Sequence, residues 1–288
     1  MSQRPTDHQV TGRPASDDPT AKAGGENFPV ALRVLPAGPR RHLMAIYGYA
    51  RMVDDLGDEA DGDRLARLDA VEAELRGCYA GQAPRHPVLV EIARTIEAFD
   101  VPVDPFLGLI EANRVDQVVS RYETFDALVD YCKLSANPVG ELVLYVFGAH
   151  TPDRVALSDR ICTALQIVEH LQDVAEDYRA DRIYLPAGDM RRYGVAEREL
   201  AAAHASEPLR RLIEFEAGRA SAWLFAGAPL LGSLRGFGRL AVSGYYAGGR
   251  AALSALARSG FDPLPGPPKA TKAAMLAALV RTAFGRAA

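Results

Sequence analysis

Two clusters of carboxylates lie far apart in the sequence, each inside a segment with helical periodicity. The first contains Asp54, Asp55, Asp58 and Glu59, and the second contains Glu169, Asp173, Glu176 and Asp177. Acidic side chains four residues apart project from one helix face, about 6 Å apart along the axis, where their charges repel. Two such faces turned toward each other would form a cage of hard oxygen ligands, which suits Mg²⁺ ions holding a diphosphate. The spacing therefore predicts an enzyme that binds Mg²⁺ and a diphosphate.

The alternative is that each acidic run is a solvated helix face. The first cluster follows an apolar and aromatic stretch, residues 46–50, and Arg51 lies close enough to orient a carboxylate or contact a diphosphate. By itself this cluster leaves both interpretations open. The second cluster has Gln166 one turn upstream and is followed by the connection 179–186, where Arg182 could neutralise phosphate charge. We take the neighbouring His170 as structural. Two matched clusters are hard to explain as two solvated faces.

The elements that must position these clusters all have helical patterns, so we predict an all-α, single-domain helical bundle with a central cavity. A polar tail, residues 1–25, is expected to be disordered, and the helical domain is expected to span 26–288. Pro and Gly clusters separate the elements. The predicted helices are Arg40–Leu56, Asp63–Tyr79, Pro87–Phe99, Pro105–Val119, Phe125–Phe147, Arg154–Tyr178, Glu197–Leu200, Pro208–Leu231, Gly236–Ala257 and Ala270–Phe284.

Composition excludes several other classes of protein. The 288 residues carry a formal net charge of −4, which gives no electrostatic footprint for nucleic acid. The three cysteines, Cys78, Cys132 and Cys162, have no metal-site or disulfide spacing. No stretch approaches the ~20 apolar residues of a membrane-spanning helix, and the N-terminus has no signal-peptide core. We therefore expect a cytoplasmic protein that contacts the inner face of the membrane at most transiently.

These motifs resemble those of the squalene and phytoene synthase family. The first is Tyr47-x-x-x-Arg51-x-x-Asp54-Asp55-x-x-Asp58-Glu59, and the second runs from Gln166 to Asp177 and is followed by Arg182-Ile183-Tyr184-Leu185-Pro186. Within the family, the segments 26–31 and 131–140 are similar to hydroxysqualene synthases of hopanoid pathways. The resemblance implies a closed α-helical terpenoid-synthase fold and a Mg²⁺-dependent reaction that converts presqualene diphosphate and water to hydroxysqualene.

The resemblance also implies roles for individual residues. Its implied metal ligands are Asp54, Asp58, Glu169, Asp173 and Asp177. Tyr47 and Arg51 would act in catalysis, and substrate would be bound by Arg51, Tyr131, Gln166, Arg182, Tyr184 and Tyr246. A water that quenches the carbocation would be positioned by Asn27, Ser135 or Asn137. For each polar residue, capping a helix is an equally available role, and for each tyrosine so is core packing.

Two positions depart from the family pattern. Glu169 stands where Asn is usual, which adds a negative charge to the site, and Gln172 stands where many relatives have Arg. Two alternative functions stay open: condensation of two farnesyl diphosphates to presqualene diphosphate or squalene, and a non-catalytic helical partner of a sister synthase. The region Lys269–Lys272 is a candidate for membrane contact, with C-terminal packing as its alternative.

Overall fold

The computed structural model describes residues 34–58, 62–271, 273, 275, 277–279 and 282. Its helices are α1 (Ala37–Asp58), α2 (Arg64–Tyr79), α3 (Pro87–Phe99), α4 (Asp104–Val115), α5 (Phe125–Ser135), α6 (Asn137–Val146), α7 (Pro152–Gln172), α8 (Val174–Arg179), α9 (Ala187–Tyr193), α10 (Glu207–Gly227), α11 (Pro229–Ser233) and α12 (Gly236–Arg258), with a 3₁₀ helix at Glu197–Ala201. Within these residues, β pairing consists of one isolated parallel bridge between Arg121 and Ile183. The predicted all-α fold is confirmed.

Side-chain caps fix where several helices begin. Asp63, Thr124, Thr151 and Ser206 each accept a hydrogen bond from the backbone N–H three residues later, at the starts of α2, α5, α7 and α10. Such caps satisfy N–H groups that have no partner within the helix. A proline at the first or second position of α7 and of α10 fixes φ near its helical value. Its missing N–H costs nothing there, because N–H groups in the first turn have no partner within the helix.

Three helices predicted as continuous are interrupted. Phe125–Phe147 breaks at Ala136, which lies two residues before a proline, and Pro208–Leu231 breaks at Ala228, directly before Pro229. Proline lacks the N–H that would continue the ladder of backbone hydrogen bonds, although Ala228 itself keeps helical angles, φ −55° and ψ −30°. Arg154–Tyr178 breaks at Asp173, with φ −103° and ψ 13°. Helix α9 is absent from the predicted set, and of Ala270–Phe284 the structure describes only positions 270, 271, 273, 275, 277–279 and 282.

Helix α7 lies at the centre of the bundle, and small residues let its neighbours approach closely. A Cβ at Gly227 would lie 2.5 Å from Ile161 Cγ1, and one at Gly249 would lie 2.5 Å from Leu165 Cδ2. These contacts bring α10 and α12 against α7, and because Gly227 ends α10 beside the first half of α7, the two helices run antiparallel.

Two apolar cores share α7. The first gathers α1, α3, α4 and α6 around its N-terminal half, and the second gathers α5, the 183–190 connection and the start of α10 around its C-terminal half. The C-terminal turn of α7 therefore lies in the second core, beside the segment that follows the second acidic motif. No helix within the described residues is long and apolar enough to cross a bilayer.

Candidate functional site

The first acidic cluster occupies the last turns of α1, which buried Tyr49 and Val53 hold in the core. Asn113 of α4 donates a hydrogen bond from Nδ2 to Asp54 Oδ1 at 3.0 Å. Asp54 is open to solvent but sits in a recess walled by protein. Partial desolvation there, with repulsion from neighbouring carboxylates, raises its pKa to about 6 against the opposing effect of the Asn113 hydrogen bond. Arg51 forms an ion pair with Asp55 at 3.1 Å.

Arg182 connects this cluster to the connection after the second motif. Its Nη2 lies 2.6 Å from Asp58 Oδ1. The middle of the connection is fixed by two backbone hydrogen bonds at 2.9 Å: the N–H of Arg182 donates to Asp177 O, and the N–H of Ile183 donates to Ser120 O. One guanidinium is thereby placed at the edge of the first carboxylate cluster.

Asp116 of the segment after α4 joins the two sides of the site. It accepts hydrogen bonds from the hydroxyls of Tyr131, at 2.6 Å, and Tyr184, at 3.4 Å. Burial raises the pKa of Asp116, and the Tyr131 hydrogen bond and the charge of Arg182 oppose that rise. Tyr122, Tyr131 and Tyr184 pack together with ring centroids 5.4–5.7 Å apart.

The second acidic cluster begins where α7 ends. The imidazole of His170 stacks on Tyr184, with centroids 3.6 Å apart, and its Nδ1 lies 3.8 Å from Asp177 Oδ2. Gln166 Nε2 lies 3.2 Å from the other ring nitrogen of His170. Desolvation, then repulsion from Asp177, raises the pKa of Asp173 to about 6. Although the helix breaks at Asp173, the backbone N–H of Asp177 still donates to its carbonyl at 2.8 Å, so the one-turn spacing survives.

Arg182 links the two motifs, since its guanidinium pairs with Asp58 and its backbone N–H donates to Asp177 O. Beside it, Tyr184 stacks on His170, whose Nδ1 lies 3.8 Å from Asp177 Oδ2. Carboxylates that are more than 100 residues apart in sequence face one recess with an aromatic wall between them. The guanidinium groups of Arg51 and Arg182 and the imidazole of His170 stand among a larger number of carboxylates, so the recess has an excess of negative charge in which cations are favoured.

The other residues singled out by sequence have varied surroundings. Asn137 Oδ1 accepts a hydrogen bond from Thr163 at 3.0 Å, whereas Ser135 Oγ is buried without a hydrogen-bond partner. Tyr246 belongs to the first core, apart from Tyr131 and Tyr184. Tyr47 is half-buried on α1, and Glu169 is exposed on the last turn of α7. The side chain of Gln172 donates a hydrogen bond to Pro268 O. Asn27 and Glu59 lie outside the described residues.

The carboxylates fit Mg²⁺ bound together with a phosphate group. Among the described side chains, no three carboxylates, histidines or cysteines converge closely enough to hold an ion by themselves. Mg²⁺ in phosphate-processing sites commonly takes one or two carboxylates and completes its shell with substrate phosphates and water. Asp177 Oδ2 is buried and accepts no hydrogen bond, and His170 Nδ1 lies 3.8 Å from it, so this oxygen has capacity for a further ligand.

Two residues of the recess were missed from sequence: Asn113 and Asp116. Asn113 and Gln117 are four residues apart, and both donate to the α1 side, Gln117 to Gly57 O at 3.0 Å. The available signal was the helical spacing of these two polar residues, which begins on α4 and continues past its end. His170, expected to be structural, stacks on Tyr184.

The fold and the recess define an all-helical synthase of the isoprenoid type, with paired acidic motifs at the ends of two helices. Residues 21–275 match the family model described as squalene/phytoene synthase, and the chain belongs to that family of enzymes.

Two curated relatives and one solved structure show the similarity in detail. The chain is 40% identical to a hydroxysqualene synthase of Zymomonas mobilis, over 66% of this chain and 64% of that protein. It is 35% identical to a hydroxysqualene synthase of Rhodopseudomonas palustris, over 74% of this chain and 72% of that protein. A crystal structure described as squalene synthase from Alicyclobacillus acidocaldarius superposes with a TM-score of 0.78 at 41% identity, covering 84% of this chain and 92% of that one.

Proposed function

We propose that this chain is a Mg²⁺-dependent hydroxysqualene synthase, which converts presqualene diphosphate and water to hydroxysqualene and diphosphate. The observation that carries the proposal is the meeting of both carboxylate motifs at one recess, linked through Arg182 with Tyr184 and His170 beside it. The relatives named hydroxysqualene synthase favour this reaction over others of the family.

The proposed roles follow from charge and position. Asp54 and Asp58 on one side, and Glu169, Asp173 and Asp177 on the other, would hold the metal ions. When bound, Mg²⁺ supplies Lewis-acid stabilisation to the departing diphosphate. Arg51 and Arg182 would neutralise phosphate charge once their carboxylate partners turn to the metal. Because Asp54 and Asp173 have raised pKa values, cations favour their ionised forms.

Ionisation breaks the C–O bond to diphosphate, and the electron pair leaves with the diphosphate. The resulting cyclopropylcarbinyl cation opens its ring, a water oxygen forms the new C–O bond, and that water loses one proton. Tyr131, Tyr184, Tyr47 and Gln166 would line the path of the cation, with one ring face of Tyr184 already covered by His170. Tyr246, in the first core, is suited to contact the hydrocarbon tail.

Ser135 is the best placed of the polar residues to hold the water. Its buried hydroxyl has no protein partner, whereas Asn137 already accepts a hydrogen bond from Thr163. A buried hydroxyl without a partner is costly, and an ordered water would satisfy it. We extend the same role to Asn27 on the resemblance alone.

The test incubates purified protein with Mg²⁺ and presqualene diphosphate, without nicotinamide, and identifies products by mass spectrometry. Hydroxysqualene is expected, and Asp54→Asn and Asp173→Asn should abolish it while Mg²⁺-free far-UV spectra stay unchanged. A parallel incubation with farnesyl diphosphate should give no product. Formation of presqualene diphosphate or squalene from farnesyl diphosphate would show that the enzyme catalyses the condensation of two farnesyl diphosphates instead. An absence of Mg²⁺-dependent diphosphate binding by calorimetry would favour a non-catalytic partner.

Presqualene diphosphate must come from an enzyme that joins two farnesyl diphosphates, so we further propose that a sister synthase supplies it. Substrate and product both carry long hydrocarbon chains, which favours a cytoplasmic enzyme that works at the inner face of the membrane.

A further inference from the structure

Two phenylalanine side chains lie exposed at the junction of α10, α11 and α12. Phe225 is 63% exposed and Phe237 is 48% exposed, and among the described residues no other phenylalanine is exposed. We call residues 225–239 the basic corner. Scattered exposed apolar residues are ordinary in proteins, but two large rings on one short connection, with exposed Gly232 and Gly236 between them, form a local apolar surface.

The charged side chains of the corner itself, Arg235 and Arg239, are both positive. Arg235 and Arg239 are exposed within the corner. From Ala217 to Phe261 the sequence contains five arginines and no aspartate or glutamate, although the whole chain carries a net charge of −4. The start of α7 also reaches the corner, where Arg154 donates to Ser233 O at 2.7 Å, and exposed Asp153 beside it offsets that one charge.

The basic corner lies at the opposite end of the bundle from the carboxylate recess. Its neighbours, Arg154 and Leu157, belong to the first turns of α7, while Asp173 follows the last turn. A helix of 21 residues is about 30 Å long, so Arg235 and Arg239 are too distant to serve the diphosphate. The recess is therefore acidic and the corner is basic, and an anionic surface would attract the corner and repel the recess.

We propose that the basic corner is a docking surface for a bilayer that contains anionic lipids. The two phenylalanine rings enter the interfacial layer, and Arg235 and Arg239 bind lipid phosphates, which is the pairing of apolar and basic groups that surface-bound proteins use. Gly232 and Gly236 carry no side chain that would hold the backbone away from the headgroups. The N-terminus of α12 begins in the same turn without a side-chain cap, which adds backbone donors for phosphate.

A lipid surface fits the corner better than a protein partner. A stable protein interface buries about 800 Å² on each side, whereas an aromatic ring buries roughly 150–250 Å². Two rings among arginines provide too little area for such an interface, but a fluid bilayer can surround them one by one. The proposal concerns binding, so it stands independently of which reaction the enzyme catalyses.

The test measures co-sedimentation of the full-length protein with vesicles of phosphatidylcholine alone and of phosphatidylcholine mixed with phosphatidylglycerol. Binding is expected only to the mixed vesicles and should weaken as salt is raised. Each basic residue near an anionic surface contributes roughly fivefold to binding, so Arg235→Gln/Arg239→Gln should weaken it roughly 25-fold. Arg211→Gln/Arg258→Gln is the matched control, since both arginines are exposed at the other ends of α10 and α12, and it should bind like wild type.

A second measurement reports whether the corner itself enters the bilayer. The chain has one tryptophan, Trp223, so Phe225→Trp in a Trp223→Phe background places a single fluorophore in the corner. Lipids brominated along their acyl chains should quench it. Equal binding to both vesicle types, equal losses in the two double-arginine variants, or unquenched fluorescence from the bound Phe225→Trp variant would each overturn the proposal. Thermal unfolding of every variant near the wild-type midpoint confirms that the surface changes leave the fold intact.

Discussion

Gly57 is predicted to be indispensable because it allows Asn113 to reach Asp54. It lies on α1 between Asp54 and Asp58, and it is buried against α4. A Cβ built there would overlap the side-chain oxygen of Asn113 and lie 3.0 Å from its Cγ. The substitution Gly57→Ala must therefore push the Asn113 amide away and break its 3.0 Å hydrogen bond to Asp54.

The size of the effect follows from the bond that is lost. A hydrogen bond to a charged group contributes about 1.5–3 kcal/mol, which corresponds to roughly 10- to 160-fold in rate if it positions a metal ligand for the transition state. Because the bond also opposes the raised pKa of Asp54, its loss should raise that pKa further. The assay is the Mg²⁺ dependence of kcat/KM for presqualene diphosphate, and the variant should need more Mg²⁺ and turn over more slowly.

A double-mutant cycle makes this reasoning refutable. Asn113→Ala removes the same hydrogen bond and the overlapping amide. In Gly57→Ala/Asn113→Ala the two β carbons would lie 3.2 Å apart, which a small shift relieves, so its rate should be close to that of Asn113→Ala alone. Gly38→Ala is the matched control, because Gly38 lies on the same helix and its added methyl group would meet nothing within 4 Å. Wild-type kinetics in Gly57→Ala, or fully additive losses in the cycle, would show that Asn113 does not position Asp54.

Three further predictions concern charge and packing. Burial raises the pKa of Glu216 from 4.5 to about 7, so the folded protein holds a proton that the unfolded chain releases. The free energy of unfolding should therefore rise as pH falls from about 8 toward 4.5, by at most about 1.4 kcal/mol per pH unit. Denaturant titrations should show a smaller rise in Glu216→Gln. Arg182→Gln should lower kcat/KM about 100-fold by removing a phosphate contact, and Arg182→Lys should restore part of it; full activity in Arg182→Gln would contradict this role. Gly227→Ala, whose Cβ would lie 2.5 Å from Ile161 Cγ1, should destabilise by about 1–3 kcal/mol, whereas Gly218→Ala on the same helix has open space and should not.

The acidic motifs and the helical architecture were predictable because both depend on short-range periodicity. Carboxylates four residues apart identify a helix face, and the segments that carry the motifs are apolar on their other faces. The resemblance to the squalene and phytoene synthase family, now shown by the family match, rested on the same short motifs.

The missed features depend on contacts that sequence spacing does not reveal. Asp116 belongs to the site because Ile183, in the connection 179–186, pairs with residues 120 and 121. This pairing brings the Tyr184 hydroxyl to the carboxylate of Asp116. The residues next to His170 in sequence do not show that it is packed. That is visible only in the fold, where the ring of Tyr184 stacks on its imidazole. The break at Asp173 has no proline or glycine beside it, so propensity gave no reason to interrupt that helix.

The source of the product hydroxyl tests the proposed reaction most directly. Turnover of presqualene diphosphate with Mg²⁺ in ¹⁸O-enriched water, without nicotinamide, should give hydroxysqualene that carries ¹⁸O at its hydroxyl, and Ser135→Ala should lower the yield of that alcohol more than the release of diphosphate. A hydroxyl without ¹⁸O would mean that the oxygen comes from the diphosphate ester, and the capture of water by a carbocation in this recess would then be wrong.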